Sequence, residues 1–96
     1  MKKPETKFRE SIYKDLDALQ LTWWESIQQK AIRATPDILM CVNGYFVALE
    51  FKKDQNESPS PLQLYKHKEI KKAKGFCFVV HPDNWGYVYN ILKKLG

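Results

Sequence analysis

A chain of 96 residues with 44% hydrophobic content can build one modest core, so a single domain over residues 1–96 is expected. No apolar run approaches the roughly 18 residues that a membrane-spanning helix needs, and Met1-Lys2-Lys3 leads into Glu5, Lys7 and Arg9 rather than an apolar segment, so neither anchor nor signal peptide is expected and the cytoplasm is the expected compartment. A net charge of +5 and a pI near 9.2 favour a polyanionic partner, nucleic acid first, although lysines in this number also keep a small domain soluble.

Residues 5–20 read as the first helix, because Phe8, Ile12, Leu16 and Leu19 recur at three- and four-residue spacing and Pro4 suits its start. Two acids compete for interest on it. At roughly 100° per residue, Glu5 falls within about 20° of Ile12 on the apolar stripe, whereas Glu10 lies about 140° from Glu5, on the solvent side. Leu21-Thr22-Trp23-Trp24 has the composition of a short strand, with at least one tryptophan expected in the core. Residues 28–35 are polar and aperiodic and are expected to form a loop, from which Lys30 and Arg33 would contact phosphate.

Ile38 to Val42 and Tyr45 to Phe51 are apolar runs joined by Asn43-Gly44, the composition of a tight β-hairpin. The open end of that hairpin is polar. Asp37 precedes the first strand, and Glu50 and Lys52 close the second on one face, since side chains alternate along a strand. Folding at Asn43-Gly44 brings these ends together. Carboxylates are hard oxygen donors suited to Mg²⁺ or Mn²⁺, and an ammonium beside them can stabilise developing negative charge. By residue type alone, such a trio also serves as a plain salt bridge. Cys41 and Cys77 fall in strands and are expected to be buried free thiols, and no Cys/His cluster has zinc spacing.

Residues 53–60 have loop composition, and Ser60-Pro61 looks like an N-cap followed by a first-turn proline. The helix that follows should run to about Lys74 and stop at Gly75, with Leu62, Tyr65, Ile70 and Ala73 inward and His67, Lys68, Lys71 and Lys74 outward. Gln63 sits at the border of the two sides, and His67 is expected at the surface. Phe76 to His81 reads as a buried central strand. Pro82-Asp83-Asn84 can cap a final amphipathic helix marked by Trp85, Val88, Tyr89, Leu92 and Leu95 and closing at Gly96. The order α-β-β-β-α-β-α, with a helical crossover before the last strand, implies an α/β fold with a mixed four-stranded sheet flanked by helices.

Pro36-Asp37, a gap of twelve residues and Glu50-x-Lys52 resemble the PD-(D/E)XK nuclease signature. More of the chain fits the VRR-NUC branch of that superfamily, in particular its small stand-alone phage-type members. The resemblance takes in Glu5-Thr-Lys-Phe-Arg-Glu10, Thr35-Pro-Asp-Ile38, Asn43-Gly44, Leu49-Glu-Phe-Lys52, Ser60-Pro-Leu-Gln63, Ala73-Lys-Gly75 and Val79-Val80, in order. It implies a restriction-endonuclease-like core and a metal-dependent deoxyribonuclease. Asp37 and Glu50 would be metal ligands, Lys52 the catalytic lysine, and Gln63 the glutamine opening the following helix. Glu5, rather than Glu10, would be the acid supplied by the first helix. With Lys30 and Arg33, Lys53 would contact DNA. Mg²⁺ or Mn²⁺ would be the cofactor. Branched DNA, such as four-way junctions or flaps, would be the substrate of a homodimer, its surface formed by Trp23 and Trp24 or by residues 85–95. The chain departs from the pattern in having Thr35 where glycine is common before Pro-Asp, and Lys74-Gly75 where a Gly-Gly pair is frequent. Two other classes compete with the nuclease: a non-catalytic DNA-binding module on the same fold, and a protein-interaction domain whose charge serves only solubility.

Overall fold

The computed structural model describes residues 2–27 and 34–96. Helix α1 (Pro4–Asp17) is followed by strands β1 (Thr22–Ser26), β2 (Ile38–Val42) and β3 (Tyr45–Phe51), helix α2 (Pro61–Lys72), strand β4 (Phe76–Val80) and helix α3 (Trp85–Leu95). The element order is therefore the one the sequence implies. The sheet runs β1-β2-β3-β4, with β1, β2 and β3 antiparallel and β4 parallel to β3. Asn43 and Gly44 adopt φ of 50° and 88°, the left-handed pair that a two-residue hairpin turn requires.

Register divides the side chains between two faces. Ile38 pairs with Leu49, Met40 with Val47, Leu49 with Phe78 and Phe51 with Val80. These residues line the face that meets Ile12 and Leu16 of α1 and Trp85, Val88 and Leu92 of α3. Asp15 ties the two helices together: its carboxylate accepts from Trp85 Nε1 at 2.8 Å and its backbone carbonyl from the Tyr89 hydroxyl at 2.9 Å. The opposite face carries Trp23, Cys41, Phe46, Ala48, Glu50 and Cys77, and α2 packs on its β4 side.

Several expectations change. Helix α1 ends at Asp17, not residue 20, and Leu21 at φ 54° turns the chain into β1. Strand β4 is an edge strand, not a central one; its apolar run reflects helices on both faces rather than strands on both sides. Cys77 is buried as expected, but Cys41 is exposed, because no helix among the described residues covers that part of the sheet. Trp24 stacks on Tyr13 against the core, whereas Trp23 is 60% exposed. Asn84 does not cap α3 with its side chain. It turns back instead, accepting from His81 N–H and donating to the Val79 carbonyl, both at 2.8 Å.

The largest revision concerns α2. Ser60 accepts from Gln63 N–H, and Gln63 Oε1 accepts from Ser60 N–H, a reciprocal capping box that sets the helix phase. In that phase Gln63, His67 and Ile70 share the sheet-facing side. Leu62 and Tyr65, expected inward, are 42% and 59% exposed, and His67, expected at the surface, is 5% exposed. The helix packs over a polar end of the sheet, so its inward stripe is polar there and its apolar residues face out.

Candidate active site

One step beyond the Ile38–Leu49 pair, the antiparallel register brings Asp37 opposite Glu50. The backbone holds Asp37 from two directions. Its carbonyl accepts from Ile27 N–H at 2.8 Å, and its Oδ2 accepts from Phe51 N–H at 2.8 Å. The second bond locks the carboxylate to the end of β3, beside Glu50.

Glu50 is 3% exposed in the most enclosed strand of the sheet. Burial pushes its pKa from 4.5 up to about 8, and Asp37 adds to the rise by hydrogen bonding and by its charge, while Lys52 and Arg9 oppose it. A carboxylate kept from water beside a second acid holds a proton unless a cation replaces it. Lys52 lies just past the strand. Its N–H donates to the Val80 carbonyl at 2.8 Å, and its Nζ donates to Gln63 Oε1 at 3.2 Å. One amide oxygen thus caps α2 and aims the lysine.

Glu5 is exposed, and with Arg9, Phe51, Lys52 and Lys53 it lines a cleft of about 480 Å³. Asp37 and Glu50 are not among the cleft's lining residues, so the opening lies on the lysine side of the acid pair. Glu10 pairs with Lys2 at 2.8 Å, while Glu5, expected on the apolar stripe, is exposed. Lys53 lines the cleft and is exposed, its N–H 3.4 Å from Glu57 Oε1. Lys30 and Arg33 lie outside the described residues.

No family model matches the chain, and no curated protein matches it. A solved structure described as a "VRR_NUC domain" superposes with a TM-score of 0.70 at 25% identity, covering 95% of this chain and 91% of that one. The chain shares the fold of that VRR_NUC domain. Its fold is accordingly of the nuclease, DNA-processing type.

No group of three or more His, Cys, Asp or Glu side chains converges on a metal-sized space among the described residues. Glu5 therefore does not complete a protein cage with Asp37 and Glu50. Two adjacent carboxylates do fit an ion such as Mg²⁺, which takes one or two carboxylates and fills its remaining positions with water and phosphate oxygens. The raised pKa of Glu50 is the observation that bears on this fit, because a buried acid set beside a second, partly buried one calls for a cation between them.

Two residues at the site escape sequence reasoning. The Arg9 guanidinium sits 4.8 Å from the centroid of the Phe51 ring and its charge reaches Glu50; it lies one turn after Glu5, the spacing that could have flagged it. His67 Nε2 lies 3.7 Å from Glu50 Oε1. Burial, then Lys71 and Lys52, depress its pKa and favour the neutral ring. The signal was its position four residues after Gln63. Counting it with the basic side of the helix hid it.

Proposed function

We propose that this protein is a metal-dependent DNA endonuclease of the VRR-NUC type, with Asp37 and Glu50 as ligands to Mg²⁺ or Mn²⁺ and Lys52 as the catalytic lysine. The observation that carries the reading is buried Glu50 set beside Asp37 with an ammonium aimed alongside. A plain salt bridge would not need a second acid beside the buried one. A bound divalent ion would polarise the scissile phosphodiester and lower the pKa of its water. Asp37 presents a carboxylate already fixed by Phe51 N–H, so little ordering remains to be done on binding. Gln63 holds Lys52 at its oxygen, which leaves the other ammonium protons free to meet charge developing on the phosphoryl oxygens. Arg9 and Lys53, at the cleft beside Lys52, supply cationic contacts for the DNA backbone, and Glu5 reaches the ion through water.

Branched DNA as substrate and a homodimer as the working form complete the proposal. A chain of this size offers little surface to grip a junction, and a two-fold pair presents two sites.

The test is a cleavage panel of four-way junctions, flaps, linear duplex and single strand with Mg²⁺ or Mn²⁺, comparing wild type with Asp37→Asn, Glu50→Gln and Lys52→Ala. Cleavage should require the ion and favour branched substrates. Both acid variants should be inactive, and Lys52→Ala should lose roughly 10²–10³-fold in rate with the fold intact. Full activity in Lys52→Ala rejects the lysine's role. Tight, salt-sensitive DNA binding with no Mn²⁺-stimulated cleavage replaces the nuclease by a binding module.

A further inference from the structure

Glu50 Oε1 and His67 Nε2 are both buried side-chain atoms without a hydrogen-bond partner among the described residues. They face each other at 3.7 Å, and both side chains are more than nine-tenths buried, at 4% and 7% exposure. The separation is just beyond the upper limit of about 3.2 Å for an N–H···O bond, so a small rotation of either side chain would join them. A buried polar atom left unpaired is costly in an interior, which is why orphaned pairs in native structures call for an explanation.

We propose that His67 is a positioning residue for Glu50: its ring Nε2–H holds Oε1 of the ionised carboxylate, so that the remaining oxygen is presented beside Asp37. The inference rests on the metal-binding reading above. Glu50 must be charged to bind an ion, and a charged oxygen buried on the α2 side then lacks a donor. A neutral imidazole carries one N–H and can supply it. The capping box makes the arrangement rigid, because Ser60 and Gln63 fix the phase of α2 and His67 follows on the same side one turn later. A single helix thereby aims both polar partners of the site, Gln63 at Lys52 and His67 at Glu50. Ligating carboxylates are commonly oriented by such outer partners, whose loss costs roughly 10–100-fold in metal affinity or activity.

The test measures Mn²⁺ binding by titration calorimetry in the absence of DNA, on wild type, His67→Gln, His67→Leu and Glu50→Gln, each checked for folding by thermal melting. His67→Leu should bind Mn²⁺ about tenfold or more weakly. His67→Gln, which keeps an N–H donor at similar reach, should stay within about threefold of wild type on the same scale. If the Leu variant does not fold, His67→Asn, too short to reach Glu50, takes its place with the same expectation. Wild-type affinity in His67→Leu overturns the proposal while leaving the metal site standing. Equal loss in the Leu and Gln variants also overturns it, since ring volume rather than the donor would then matter. Failure of wild type to bind Mn²⁺, or undiminished binding by Glu50→Gln, overturns the metal reading and this inference with it.

Discussion

Glu50 is an acid placed where a hydrophobic residue would pack without cost. Its pKa, raised from 4.5 to about 8 chiefly by burial, has a definite thermodynamic sign. The folded state binds the proton more tightly than the unfolded state, so the stabilisation is complete below about 4.5 and is lost as pH rises through about 8. In the absence of divalent ions the protein should therefore lose on the order of a few kcal/mol of stability across that window. Glu50→Gln should flatten the profile and melt higher than wild type near pH 8, as urea unfolding at several pH values would reveal. Equal slopes in the two proteins would mean that Glu50 titrates normally. Adding Mn²⁺ should restore wild-type stability at alkaline pH, where the carboxylate is charged, and leave the Gln variant unchanged. Burial also pushes the Cys77 thiol up to about 11, so of the two cysteines Cys41 should be the one that reacts with thiol reagents.

The elements explain how such a residue is held. Helix α2 begins with a capping box and ends in a Schellman motif, Gly75 N–H bonding the Ile70 carbonyl at 2.9 Å and Lys74 N–H the Lys71 carbonyl at 3.0 Å. The left-handed position of that motif, at φ 74°, is occupied by Lys74 and not by glycine. Gly75 is needed for a different reason. A Cβ there would lie 2.9 Å from Ile70 Cγ2, 3.0 Å from a Phe46 ring carbon and 3.2 Å from the Ile70 carbonyl. Lys74→Gly should therefore stabilise the protein by about 0.5–1 kcal/mol. Gly75→Ala should destabilise it by about 1–3 kcal/mol. Chemical denaturation of the two variants decides this, and a stabilised Gly75→Ala would contradict the close approach. The left-handed position and the close-packed one thus fall on different residues, a strained lysine and a packing glycine.

At the scale of the molecule, among the described residues one face of the sheet is covered by two helices and the other by one. The uncovered part carries the cross-strand row Trp23, Cys41 and Phe46, with Trp23 60% and Phe46 43% exposed. On α2, Leu64 and Tyr65 are also more than half exposed. Apolar side chains standing together on a surface are characteristic of contact sites, and this row is where the proposed homodimer is best sought. Light scattering should give twice the mass of the 11.3 kDa chain for wild type and the monomer mass for Trp23→Glu. A Trp23→Glu dimer would move the interface elsewhere, to α3 first. The net charge of +5 makes DNA affinity salt-dependent in either state, and the slope of log affinity against log salt counts the phosphates contacted.

The amino-acid sequence by itself determined the elements, the hairpin and the meeting of Asp37 with Glu50. Those follow from alternation, helical periodicity and the φ preferences of Asn43-Gly44, all of which act between near neighbours in the chain. Capping by Ser60 and Pro61 was legible for the same reason. The partner of Glu50 was not, because α2 takes its phase from its cap and its seat on a polar sheet end, and not from its hydrophobic residues. Neither was the edge position of β4, since an apolar run records burial but not what does the burying. Arg9, His67 and the exposed row at Trp23 owe their places to contacts between segments far apart in sequence. Only the folded sheet, with three helices shared unequally between its faces, decides which side chains lose water and which keep it.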